Sequence, residues 1–152
     1  MIIGVVLAAG ASRRMGSPKA LARRGGTSFL ARGIRHLWSA CDDVVVVLGA
    51  HAVKIRREAE DEFERLIAAG RLHEDLTFAH RHGAAGLEVE FVVNRAWSRG
   101  MFGSARLGLT RALARRPEAV LVLPVDHPDV RVATVAVSPS MRSLAYVIFS
   151  PL

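Results

Sequence analysis

Between Leu7 and Lys19 the chain reads Leu-Ala-Ala-Gly-Ala-Ser-Arg-Arg-Met-Gly-Ser-Pro-Lys, a run of small residues punctuated by Arg13, Arg14 and Lys19. Small residues let the main chain approach a ligand and turn its N–H groups toward phosphate oxygens, while Arg14 and Lys19 bring donors and positive charge. The chemistry open to such a loop is to hold a polyphosphate. It is not a Walker loop, because Gly-Lys-Ser/Thr is missing, and the G-x-G-x-x-G pattern is absent too. Further along, Asn94, Gly100 and Ser104 stand in one stretch and Asp126 and His127 in another, each a polar group beside an apolar run.

The elements that must position these residues can be read from periodicity. Ile2 to Leu7 is a short apolar run rich in β-branched residues, which predicts a strand buried on both faces of a parallel sheet. After a turn from Ala8 to Ser12, Thr27 or Ser28 can cap a helix through Phe29, Ile34, Leu37 and Trp38. A second buried strand spans Val44 to Leu48 and is closed by Gly49. Val53 to Ala69 reads as an amphipathic helix with Arg56, Arg57, Glu60, Asp61 and Glu64 on its charged face, stopped by Gly70. Arg71 to Gly86 is the least regular stretch. Val89 to Val93 is a third strand, Ser104 to Leu113 a third helix, and Val120 to Leu123 a fourth strand ending at Pro124.

This alternation predicts an α/β fold with a mostly parallel sheet and helices on both sides, which binds ligands at the carboxyl ends of its strands. The loops after Leu7, Leu48, Val93 and Leu123 then face one site. They carry Gly10, Ser12, Arg14 and Lys19; Gly49 and His51; Asn94, Gly100 and Ser104; Asp126 and His127.

Leu7 to Lys19 matches the L-A-A-G-x-S-x-R-M-G-x-x-K signature, and through it the chain resembles the MobA-like nucleotidyltransferases, which include molybdenum-cofactor cytidylyl- and guanylyltransferases. Asn94 to Ser104 and Val122 to Pro128 are similar to the cytidylyltransferase-type branch. The resemblance implies a three-layer Rossmann-like fold of the nucleotide-diphospho-sugar-transferase type, here with its C-terminal strands incomplete. It implies Mg²⁺-dependent transfer of CMP or GMP from CTP or GTP to a phosphorylated acceptor, a pterin phosphate such as molybdopterin, with release of pyrophosphate.

On this resemblance Arg14, Lys19 and Asp126 are the catalytic residues, and Asp126 also holds the Mg²⁺ ion. Leu7, Ala8 and Ala9 seat the base, and Gly10, Ser12 and Gly16 let the nucleotide lie close. Asn94, Gly100 and Ser104 line its far side. Asn94 alone, or Asp126-His127-Pro128 alone, can also be read as a turn former.

The resemblance runs from Met1 to about Val130, so residues 1–130 are expected to form the nucleotidyltransferase domain and 131–152 a divergent or truncated tail. Family members carry a second acidic metal ligand near their end, whereas no Asp or Glu follows Asp129. A helix starting near Arg131 would break at Ser138-Pro139, and Leu144 to Phe149 can add a strand of unspecified pairing. The alternative expectation is therefore a catalytically impaired nucleotide-binding or interaction protein of the same family. Incomplete strands would leave an exposed edge that favours a homo-oligomer.

The formal net charge of +7 attracts polyanions. Aromatic residues at 6%, with no nucleic-acid motif, offer little stacking surface and argue against nucleic acid as the partner. One cysteine, Cys41, excludes an internal disulfide and suits the cytoplasm. Neither a signal peptide nor a membrane span is expected. His73, His80 and His82 read as a solvated loop rather than a zinc site, and Trp38, Trp97 and Cys41 as packing residues.

Overall fold

The computed structural model describes residues 1–126, apart from 15, 39, 70–76 and 79–87, together with 144–147. Gly70, His73, His80, His82, His127 and the segment 131–138 fall outside the described residues. In chain order the elements are β1 (Ile2–Ala8), a short hairpin of β2 (Arg23–Arg24) and β3 (Thr27–Ser28), α1 (Phe29–Trp38), β4 (Asp43–Leu48) and α2 (Ala52–Ala68). They continue with β5 (Thr77–Phe78), β6 (Glu88–Val93), α3 (Met101–Leu113), β7 (Ala119–Pro124) and β8 (Leu144–Val147).

Six strands form one sheet in the order β5-β6-β4-β1-β7-β8, and every neighbouring pair is parallel. The strand expected near the end of the chain is β8, which pairs with β7 from Ala119↔Leu144 to Val122↔Val147. Successive residues of β1 point to opposite faces, as extended backbone requires. Val6 and Ala8 meet α1 and α2 through Leu30, Ile34, Ile55 and Phe63, all fully or almost fully buried. Ile3, Val5 and Leu7 meet α3 together with Val45, Val47, Val120 and Val122. The result is three layers with an apolar core on each side of the sheet. Among the described residues, no helix is long and apolar enough to cross a membrane.

Ser28 is the cap of α1, its Oγ accepting the Ala31 N–H at 3.1 Å. Its own N–H donates to Glu62 Oε1 at 2.9 Å, and the Arg23 guanidinium stands 3.7 Å from the same oxygen. A carboxylate on α2 that is almost fully buried thus has both a donor and a charge partner, which makes its burial tolerable. The contact fixes the hairpin, the start of α1 and the middle of α2 to one another.

Helix α3 begins at Met101, three residues ahead of the expected Ser104. Gly100 makes the corner at φ 111, where a side chain would be strained. The first-turn residues Met101 and Phe102 are exposed and so add nothing to an apolar period. The sheet-facing residues are Ser104, Gly108 and Ala112, small and four apart. A Cβ built on Gly108 would lie 2.5 Å from Val5 Cγ1 and 2.9 Å from Val47 Cγ2, so the helix rides directly on the strands. Past its far end, Arg115 reaches Asp43 and Glu90, each at 2.8 Å, while Arg111 binds Glu90 as well.

Cys41 is buried beside Asp42, and its thiol is pushed up from 9.0 to about 12, first by burial and second by the aspartate charge. The thiolate is the reactive form, so this thiol is inert in the folded chain.

Two outcomes test this packing. Gly108→Ala gains about 1 kcal/mol of helix propensity but overpacks a rigid core at about 1–3 kcal/mol, so urea unfolding should show a net loss. Gly103→Ala, whose Cβ would sit 3.5 Å from Asn94 Nδ2, should gain stability instead. Iodoacetamide at pH 8 should label native Cys41 at least about 100-fold more slowly than the unfolded chain. A raised thiol pKa stabilises fully below the unfolded value near 9.0 and less as pH climbs toward about 12. The urea midpoint should accordingly fall more steeply above pH 9.0 in the wild type than in Cys41→Ala.

Candidate functional site

Parallel pairing brings the carboxyl ends of β6, β4, β1 and β7 to one edge. From β1 the chain steps through β4 to β6 on one side and then crosses to β7 on the other side of β1. The loops after β1 and β7 therefore diverge, and a crevice opens where strand order reverses. A cleft of about 520 Å³ lies there. It is bounded by Leu7 to Arg13 and Pro18 to Ala20 from the first loop, Ile55 from α2, and Pro124 to Asp126 after β7. The connection from β6 into α3 contributes Trp97, Ser98, Gly100, Met101 and Ser104.

Nine residues singled out in the sequence come together here: Leu7, Ala8, Ala9, Gly10, Ser12, Lys19, Gly100, Ser104 and Asp126. Arg14, Gly16 and Asn94 are not among the lining. Arg13 borders the cleft and Arg14 does not, and both are exposed. Gly16 makes a turn at φ 67. The Asn94 amide is turned to local structure, its Nδ2 donating to Ser104 Oγ at 2.9 Å and its Oδ1 accepting the Ala96 N–H at 3.0 Å. His51, at φ 59, precedes α2 and also lies outside this cleft. Trp97 both packs on the α3 side of the core and lines the cleft. Its position four residues past the carboxyl end of β6 is the signal for the second role.

The first loop is fastened at its ends and open in its middle. The Val125 N–H donates to the Leu7 carbonyl at 3.0 Å, and the Ala50 N–H donates to the Ala9 carbonyl at 3.2 Å. Among the described residues, the N–H groups of Gly10, Ala11, Ser12 and Arg13 meet no main-chain acceptor. Adjacent unclaimed amides of this kind can receive an anion. Gly10 has neither a left-handed backbone nor any atom within 4 Å of the place its Cβ would occupy. Nothing inside the fold demands glycine there, and the space above it is open. Gly49 is the opposite case, for its Cβ would lie 2.6 Å from the Ala9 oxygen and 2.5 Å from Trp97 Cβ.

Across the switch point, Lys19 Nζ stands 3.7 Å from Asp126 Oδ2, each side chain a little under half exposed. The pair sets a cation and a carboxylate where they can still meet a ligand. A half-exposed carboxylate is a fitting donor for a hard divalent cation. Among the described residues, no cluster of three His, Cys, Asp or Glu could hold a metal ion.

Residues 4–138 match the profile of the MobA-like NTP transferase domain. Nicotine blue oxidoreductase from Paenarthrobacter nicotinovorans is 35% identical over 136 residues, which are 88% of this chain and 53% of that protein. Among solved structures, Rv0371c from Mycobacterium tuberculosis H37Rv superposes with a TM-score of 0.57 at 27% identity, covering 88% of this chain and 56% of that one. A nucleotidyl transferase from Methanothermobacter thermautotroptrophicus gives a TM-score of 0.58 at 23% identity, covering 89% and 55%, and bears on the fold alone. The chain thus spans about half the length of the relatives it matches. With nearly its whole described sheet inside the matched region, the chain belongs to the MobA-like NTP transferase domain family.

Proposed function

We propose that this chain is the nucleotide-holding part of a nucleotidyltransferase that moves CMP, or GMP, from CTP or GTP to a phosphorylated small molecule of the pterin-phosphate kind. The observation that carries the reading is the open row of amides from Gly10 to Arg13 beside the Lys19–Asp126 pair at the switch point. In the reaction an acceptor phosphate oxygen bonds to the α-phosphorus, and the bond from that phosphorus to the bridging oxygen breaks. Pyrophosphate leaves with the electron pair, so negative charge grows on the leaving side.

Each group has a part in this. The loop amides and Lys19 take the growing charge, with Arg14 a second cation from the same loop. Leu7 to Ala9 seat the base against the end of β1. Ser104 and the Gly100 corner bound the nucleotide on the α3 side. Asp126 would hold Mg²⁺, which when bound supplies charge neutralisation at the phosphates. Direct in-line transfer needs positioning and charge neutralisation, which Lys19 and Asp126 in the lining would supply, rather than a covalent enzyme intermediate. The reading places the protein in the cytoplasm, in keeping with its one buried thiol.

A second reading is favoured by the relative named an oxidoreductase. In it the same cleft holds a nucleotide without transferring its nucleotidyl group. Pyrophosphate release from CTP or GTP with molybdopterin supports the first reading, and nucleotide binding without that release supports the second.

Lys19→Ala and Asp126→Asn should each lower kcat by about 100-fold or more, the size expected when charge stabilisation is removed from a transition state. Unchanged turnover in both variants would remove this site. Gly49→Ala displaces the Ala9 carbonyl and Trp97 together, and should weaken CTP binding by about tenfold or more while circular dichroism stays native. Wild-type affinity in that variant would show that the first loop's position does not matter.

A further inference from the structure

Ser12 occupies a left-handed conformation, at φ 50, that serine seldom adopts. Such a residue persists where its surroundings hold it. What holds Ser12 is a hydrogen bond across the loop, its Oγ accepting the Lys19 N–H at 2.8 Å in a part-buried position. Lys19 opens a single helical turn, Lys19–Leu21, that is fixed from its other side as well. The Leu21 N–H donates to the Pro18 carbonyl and the Ala22 N–H to the Lys19 carbonyl, both at 3.0 Å. Ala20 is anchored in the α1–α2 core at 2% exposure. Among the described residues, the acceptor of the Lys19 N–H is Ser12 Oγ, and the ammonium is carried by the side chain that extends from this fixed main chain. That side chain reaches 3.7 Å from Asp126.

We infer that Ser12 is a positioning residue: its hydroxyl oxygen closes the loop onto Lys19 and sets where the ammonium stands, so its influence on a bound triphosphate passes through Lys19. This rests on the nucleotide reading of the cleft. The competing role is a direct one, in which the Ser12 hydroxyl donates its proton to a phosphate oxygen. The two differ in how Ser12 and Lys19 combine, because groups acting in series are non-additive and independent ligands multiply.

The test is a double-mutant cycle on CTP binding with Mg²⁺, read by calorimetry, together with amide exchange of Lys19 read by NMR without nucleotide. Ser12→Gly should weaken CTP by about 3- to 10-fold, the effect of one hydrogen bond. In the Lys19→Ala background the same change should add less than about twofold. Ser12→Asn keeps a carbonyl oxygen to accept the N–H and tolerates positive φ, so it should bind within about threefold of wild type. The Lys19 amide should exchange at least about tenfold faster in Ser12→Gly and Ser12→Ala, and at the wild-type rate in Ser12→Asn. Full multiplication of the two losses, or a Lys19 amide as well protected in Ser12→Gly and Ser12→Ala as in wild type, overturns the inference. If wild type retains no CTP at millimolar concentration, the nucleotide reading fails by itself, and the amide exchange alone decides whether Ser12 positions Lys19.

Discussion

The site depends on what becomes of main-chain hydrogen bonding where β1 ends. This central strand is paired with β4 through Ala8 and with β7 through Leu7, and its ladder consumes its peptide groups. Past Ala9, whose carbonyl still accepts the Ala50 N–H, four successive amides emerge with no main-chain acceptor among the described residues. Adjacent main-chain N–H groups that the fold leaves without a main-chain acceptor at the rim of a cleft can converge on an anion. The sheet thereby aims the loop, and side chains only complete it.

Small residues are what let the layers come close enough for this edge to be well defined. Gly108 brings α3 onto Val5 and Val47, and Gly49 lets the loop after β4 pass under Ala9 and Trp97. The charged contacts sit elsewhere. Arg111 and Arg115 bind Glu90 and Asp43 at the opposite end of the strands, away from the cleft, where they brace α3 without competing for a ligand. At the cleft the Lys19–Asp126 pair is half exposed. Such pairs contribute little to stability, so this one serves the cleft more than the fold.

Much of this was legible in the sequence, for reasons that differ from residue to residue. The four central strands stand out because burial on both faces requires continuous apolar runs, and parallel topology then gathers their loops at one edge. The start of α3 was not legible, since Met101 and Phe102 are exposed and a glycine follows them. Nor could spacing tell Arg13 from Arg14, because which of two adjacent arginines borders the cleft is decided by the course of the loop backbone, including the left-handed Ser12. Asn94 illustrates a further limit. Its residue type suits a ligand or a turn equally, and only coordinates show its amide committed to Ser104 and Ala96. The buried Glu62 was also invisible, because its partner Ser28 lies 34 residues away.

The account stands or falls on whether a triphosphate sits on the amides after β1. Amide chemical shifts recorded during titration with CTP and Mg²⁺ address this directly. The account predicts that the largest changes fall on Gly10, Ala11, Ser12 and Arg13, with Lys19 and Asp126 following at the same ligand concentration. Changes confined to other parts of the chain, or none at millimolar CTP and GTP, would contradict it.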